Sequence, residues 1–114
     1  WAIDLPSSFR DSKREIAKRA KRLLDTQHAA PPDIVIGDFN MTRNSASIKT
    51  IFPNLHDASD QGGVGWLASY PMSVPLYHID HVLVADSLRA LSYRLLNPRI
   101  GRHRLQITEL EIVD

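Results

Sequence analysis

The chain has 114 residues, 43% of them apolar and 24% charged, a balance that suits one globular domain and excludes a disordered segment. It carries 14 basic and 13 acidic side chains, a net charge of +1 that neither demands nor forbids an anionic partner, and no cysteine. Disulfides, cysteine-based zinc sites and cysteine nucleophiles are therefore excluded.

Trp1-Ala2-Ile3 reads as a strand, and Leu5-Pro6-Ser7-Ser8 after it as a loop. A chain that opens inside a strand is expected to be a piece of something longer. No apolar run approaches the ~20 residues of a membrane span. Trp1-Ala2-Ile3-Asp4 lacks the basic-then-apolar pattern of a signal peptide. The expectation is a soluble segment of unassigned cellular location.

Ser7 or Ser8 is placed to cap a helix over about Phe9–Asp25. Phe9, Ile16, Ala20, Leu23 and Leu24 follow the 3.6-residue period and mark its buried face. Seven of the 14 basic residues lie here: Arg10, Lys13, Arg14, Lys18, Arg19, Lys21 and Arg22. They form either a patch for nucleic acid or a membrane surface, or the solvated face of an amphipathic helix. Asp11 and Glu15 interrupt the run and no aromatic residue on that face offers a stacking platform, which favours the solvated face.

Ala29-Ala30-Pro31-Pro32 breaks the helix, because proline cannot continue it. Asp33-Ile34-Val35-Ile36 then has the unalternating β-branched character of a strand buried on both faces. With Trp1–Ile3 and the helix it makes a right-handed βαβ crossover. A short helix over about Ser45–Ile51 follows Gly37-Asp38-Phe39-Asn40 and ends at Pro53. Residues 54–78 read as loop, with one short strand near Trp66–Tyr70; Ile79–Val84, Tyr93–Leu96 and Gln106–Ile112 read as strands. The class is α/β (α+β).

Two segments carry chemistry. Gly37-Asp38-Phe39-Asn40 sits where an apolar strand ends, the place where sites gather in α/β folds. Its Asp and Asn suit a hard cation such as Mg²⁺ with bound phosphate, and suit a capped turn equally well. In Ile79-Asp80-His81-Val82-Leu83-Val84, alternation puts Asp80 on a face with two valines, where a carboxylate needs a partner. His103, in the Gly101-Arg102-His103-Arg104 turn, is the candidate. His78 and His81 are read as structural.

Together, GDFN after an apolar strand, IDHVLV about 40 residues later and a histidine-bearing turn before a final strand resemble the endonuclease/exonuclease/phosphatase superfamily. These are Mg²⁺-dependent phosphoesterases of the deoxyribonuclease I type. The resemblance runs over the whole chain and covers only the C-terminal half of that domain. It implies half of a four-layer α/β sandwich, with one mixed sheet of about five or six strands and the long amphipathic helix packed on it. It implies that Asp38 aligns and deprotonates the attacking water, Asn40 orients it and holds the phosphate, and Asp80 supports His103. Asp38 and Asp4 would ligate Mg²⁺ or Mn²⁺, and Arg102 would grip the substrate phosphate.

Three departures stand out. Arg102 occupies a position where the family has an aspartate, Asp4 one where it has His or Tyr, and no Asn-x-Glu or Gln-Glu arrangement replaces the family's upstream metal ligands. The implied function is therefore part of a metal-dependent phosphoesterase or nuclease, with the isolated chain inactive. The alternative is a degenerate member of the fold that binds a phosphate ligand or a protein. The implied partners are a phosphate ester, nucleic acid included, and either the missing N-terminal half or a second copy. In the latter case a two-fold homodimer would bury the Ile34–Ile36 and Val82–Val84 region or the opposite faces of those strands.

Overall fold

The computed structural model describes residues 1–27 and 30–114. In chain order it contains β1 (Ala2–Asp4), α1 (Lys13–Thr26), β2 (Ile34–Asp38), α2 (Ala46–Ile51), β3 (His56–Asp57), α3 (Ala58–Gly62), β4 (Asp80–Val84), β5 (Leu88–Leu96) and β6 (Leu105–Ile112). This is the expected α/β class.

The strands divide in two rather than forming the single larger sheet expected. β1-β2-β4-β3 make a mixed four-stranded sheet, and β5-β6 a separate antiparallel pair. β1 runs parallel to β2, with α1 as the crossover between them, and β2 runs antiparallel to β4. The Ile34–Asp38 and Asp80–Val84 segments are thus neighbours in one sheet.

α1 starts later than the sequence reading has it. Ser12 is the cap, its Oγ accepting from the Glu15 N–H at 3.2 Å. Ser12 with Glu15 is the Ser-x-x-Glu spacing of a helix start, a stronger signal than a lone serine. Ser8 instead closes a turn of its own, accepting from the N–H groups of Arg10 and Asp11. Phe9 therefore lies outside the helix and is fully exposed, as Leu23 largely is. The inward face is built from Ile16 and Ala17, with Ala20 and Leu24 beside them. The basic residues turn outward: Arg19 lies near Asp11 and Glu15, Arg22 near Glu15, and Lys21 pairs with Asp25. Of the expected break, Ala29 lies outside the described residues, while Ala30, Pro31 and Pro32 separate α1 from β2 without regular structure.

One face of the sheet is covered by helices. Val35 and Leu83 meet Ile16 and Ala17 of α1, Ile48 and Ile51 of α2, and Phe39, Met41, Phe52 and Leu55. Each of the larger side chains fully buried here stabilises the fold by about 1.5–3 kcal/mol relative to exposure. On the other face Val82 and Val84 pack with Ala58, Ala90 and Tyr93, so the β5-β6 pair lies over β4. It does not extend over β2. Ile34 and Ile36 on that face are 36% and 45% exposed, which corrects the reading of β2 as buried on both sides. Val82, Leu83 and Val84 are buried within the chain, while Ile34 and Ile36, the other part of the region expected to meet a second copy, stand half-exposed.

The loop-rich stretch holds β3 and α3, which the sequence reading missed, while the strand expected at Trp66–Tyr70 shrinks to a single bridge between Tyr70 and Tyr77. Backbone groups there are committed elsewhere: the Arg104 N–H donates to the Ser69 carbonyl at 2.8 Å and the Met72 N–H to the Arg102 carbonyl at 2.7 Å. The 69–77 loop is thereby fastened to the turn that carries His103. At α3, Gln61 Oε1 accepts the Ala90 N–H at 2.7 Å, beside an irregularity in the β5-β6 ladder. Among the described residues no helix is long and apolar enough to cross a membrane.

Candidate active site

Strand register puts three aspartates in one row. Asp4 of β1 pairs with Asp38 of β2, and Asp38 pairs with Asp80 of β4. The parallel β1-β2 pair ends here, where the chain leaves the sheet, so the row forms one edge of it. Gly37, one residue earlier, has φ +142°, and a Cβ there would lie 1.9 Å from the Ile3 carbonyl oxygen. Only glycine lets β1 and β2 approach this closely just before the site.

The turn after Asp38 is held at every residue. The Phe39 N–H donates to the Ile79 carbonyl at 3.0 Å, and the buried ring packs edge-on against Phe52 and His81. Asn40 adopts a left-handed φ of 49°, a region asparagine tolerates. Its backbone N–H donates to Asp38 Oδ1 at 2.7 Å, and its Nδ2 donates to the Leu5 carbonyl at 2.7 Å. One Nδ2 hydrogen and the Oδ1 of Asn40 remain available to a ligand.

His103 and Asp80 come together. His103 Nδ1 donates to Asp80 Oδ2 at 2.7 Å, and His103 Nε2 lies 3.8 Å from Asp38 Oδ2, too far for a hydrogen bond. The His103 ring is also packed against Tyr70, with centroids 4.8 Å apart. Asp80 is buried and receives a second bond on the same oxygen, from Ser69 Oγ at 2.6 Å. Ser69 is fully buried, and its Oγ also accepts from the Asp80 N–H at 3.3 Å. An ionised carboxylate accepting two donors satisfies the need that its valine-lined face creates.

Asp38 is held above the usual carboxylate range. Burial is the main cause, with Asp80 and Asp4 adding repulsion, against the opposing Asn40 N–H and the His103 ring. Ligand atoms of Asp38, Asp80 and His103 lie within 4.8 Å of one another. Asp4 shares the row but is exposed and falls outside that group. Arg102 is exposed and shares a shallow concavity with Tyr70, Pro71, Met72, Ser73 and Gly101.

Sequence reasoning missed Ser69 and Tyr70, the two residues that fix Asp80 and His103. Nothing in the local pattern marks them, because both act from a loop that is adjacent only after folding. It also passed over Asp57. This residue caps α3, its Oδ1 accepting from the Ser59 N–H, and its Oδ2 lies 2.7 Å from His81 Nδ1. An Asp before a short polar helix is a legible cap signal, but its histidine partner is not.

Comparison with known proteins gives the same architecture. No family model and no curated protein matches the chain. Solved structures do. A functionally unknown conserved protein from Enterococcus faecalis has a TM-score of 0.77 at 16% identity, covering 98% of this chain and 49% of its own. A mannosyl-6-phosphatase of Bacteroides thetaiotaomicron has 0.67 at 16% identity, covering 97% and 49%. An endonuclease/exonuclease/phosphatase from Bacteroides vulgatus has 0.63 at 23% identity, covering 89% and 44%. The chain shares the endonuclease/exonuclease/phosphatase fold and spans about half the length of these structures.

Proposed function

We propose that the chain supplies the Asp38, Asn40, Asp80 and His103 part of the active site of a phosphate-ester hydrolase, acting as the C-terminal half of a longer catalytic domain. The observation that carries this reading is the chain of contacts Ser69–Asp80–His103, which aims His103 Nε2 towards Asp38.

In this reading Asp80 holds the His103 proton on Nδ1, so that Nε2 faces the substrate and serves the phosphoryl oxygens. Asn40 offers its free Nδ2 hydrogen to a phosphoryl oxygen, and its left-handed backbone fixes the amide in place before substrate arrives. Asp38, whose raised proton affinity suits a base, accepts a proton from the attacking water. Arg102 meets the substrate phosphate at the rim.

The donor set fits a hard divalent cation: Asp4, Asp38 and Asp80 stand in one row, and after burial, the main cause, the repulsion of Asp80 and Asp4 helps raise Asp38. Asp38, with Asp4 beside it, would hold Mg²⁺ or Mn²⁺, which when bound acts as a Lewis acid on the phosphoryl oxygen. The half-exposed Ile34 and Ile36 would meet the other half of the domain, a role suggested by the chain spanning about half of each matched structure. Phosphomonoesters and phosphodiesters, nucleic acid included, are the substrate classes.

The test is hydrolysis of a generic phosphomonoester and a generic phosphodiester by the full-length protein with Mg²⁺ or Mn²⁺, beside Asp38→Ala and His103→Ala. Turnover lost in both variants is expected. Phosphate-ester binding without turnover in the unsubstituted protein would replace this reading with a non-hydrolytic binding module, the alternative that Arg102 favours by standing where the family has an aspartate.

A further inference from the structure

Behind the aspartate row, on the helix-covered face, lies a second and fully buried group. The His81 ring is 0% exposed and uses both nitrogens: Nδ1 lies 2.7 Å from Asp57 Oδ2, and Nε2 lies 2.8 Å from the Met41 carbonyl oxygen. A carbonyl only accepts, so Nε2 must carry a hydrogen. The short Nδ1 contact also needs one, held by the ring or by the carboxyl.

Asp57 is itself held in place. Its Oδ1 accepts from both the N–H and the hydroxyl of Ser59, at 2.9 and 2.6 Å. Burial pushes this carboxyl up, but the bonds from His81 and Ser59 outweigh it and hold Asp57 below its ordinary range. The ring is thus gripped at both nitrogens, by Asp57 and by the Met41 carbonyl. His78 stacks on it with centroids 4.8 Å apart. Tyr93 stacks on the far side of His78, Arg43 pairs outward with Asp60 at 3.5 Å, and Asp80, next in the chain, points to the opposite face.

Asp57, His78 and His81 present ligand atoms within 4.8 Å of one another, yet this group does not suit a metal. Both nitrogens of the His81 ring are already engaged, so no lone pair is free for a metal.

We propose that Asp57 and His81 are positioning residues: His81, held by Asp57, pins the Met41 carbonyl and so fixes the Asp38–Met41 turn that presents Asp38 and Asn40. The functional half of this statement rests on the reading of Asp38 and Asn40 given above; the clamp itself does not. The ring reaches the turn at two points, through the Met41 carbonyl and through the edge of Phe39. With Asn40 tied to Leu5 and Asp38, the turn is gripped on both sides. The carboxylate that holds the ring belongs to the β3–α3 junction, so a helix cap and the site turn are joined through one imidazole.

The experiment is amide exchange, followed by NMR of the chain at pH 7, at Asn40 and in the β5-β6 ladder. Asp57→Ser keeps a capping oxygen for α3 but cannot reach the ring. It should lower Asn40 protection by about 10-fold or more while leaving the β5-β6 amides within about 3-fold. Asp57→Asn can donate to Nδ1 and still accept from Ser59, leaving Nε2–H on Met41. It should retain Asn40 protection within about 3-fold. Unchanged Asn40 protection in Asp57→Ser overturns the proposal. If that variant fails to fold, Asp57→Asn decides, and a loss of about 10-fold in Asn40 protection there overturns it. Because no step measures turnover, a failed hydrolysis assay and a failed clamp are separate results.

Discussion

Acidification should loosen this fold through one residue, His78. Its ring is stacked between His81 and Tyr93, and its pKa is lowered from 6.5 to about 4, first by burial and then by the charge of His81. Its folded pKa lies below the unfolded one, so between these values the unfolded chain binds more protons. Stability therefore rises with pH across that window and is lost as pH falls from 6.5 towards 4. The fall from 6.5 to about 4, at about 1.4 kcal/mol per pH unit, sets a ceiling of about 3.5 kcal/mol. The ring is partly open to solvent, which screens the effect, and about 1–2 kcal/mol is the working figure. Asp38, with its pKa raised, works in the opposite direction above pH 3.8, so the wild-type curve alone is ambiguous. His78→Phe keeps the stacked ring and removes the titration. Urea unfolding of both proteins at half-unit steps from pH 4 to 7.5 isolates the term. The stability difference, wild type minus His78→Phe, should grow by about 1–2 kcal/mol from pH 4 to 6.5 and then level off. Parallel curves, or a difference that shrinks as pH rises, would refute the reasoning.

Three further outcomes follow from the site. Gly37→Ala places a Cβ against the Ile3 carbonyl oxygen; a loss of about 3 kcal/mol or more, or failure to fold, is expected in urea unfolding. Asp38→Asn keeps an acceptor for the Asn40 N–H and removes a carboxylate repelled by Asp80 and Asp4. Its stability at pH 7 should equal or exceed wild type while hydrolysis by the full-length protein is lost, and a large destabilisation would contradict the assigned repulsion. Ser69→Ala strips one donor from buried Asp80 and should cost about 1–3 kcal/mol. The His103–Asp80 contact should loosen, seen as faster exchange of the His103 Nδ1 hydrogen.

Local pattern and chain order determine a good deal of this protein. The βαβ crossover, the short α2 helix and the opposite facing of Asp80 and His81 follow from hydrophobic period and turn chemistry. The Asp38–Asn40 turn at a strand end, and His103 as the partner of Asp80, are legible for the same reason: a strand's register fixes which side chains leave together at its end.

The tertiary structure decided what depends on contacts between segments distant in sequence. Whether Ile34 and Ile36 are covered turns on how far the β5-β6 pair reaches over the sheet, and β2's own composition does not contain that distance. Ser69 and Tyr70 become site residues because backbone bonds fasten their loop to the 102–104 turn. His81, structural by its place in a strand, acquires a duty only because Asp57 and the Met41 carbonyl converge on its two nitrogens. Periodicity reports which way a side chain points; the work of a buried ring is set by what it meets there.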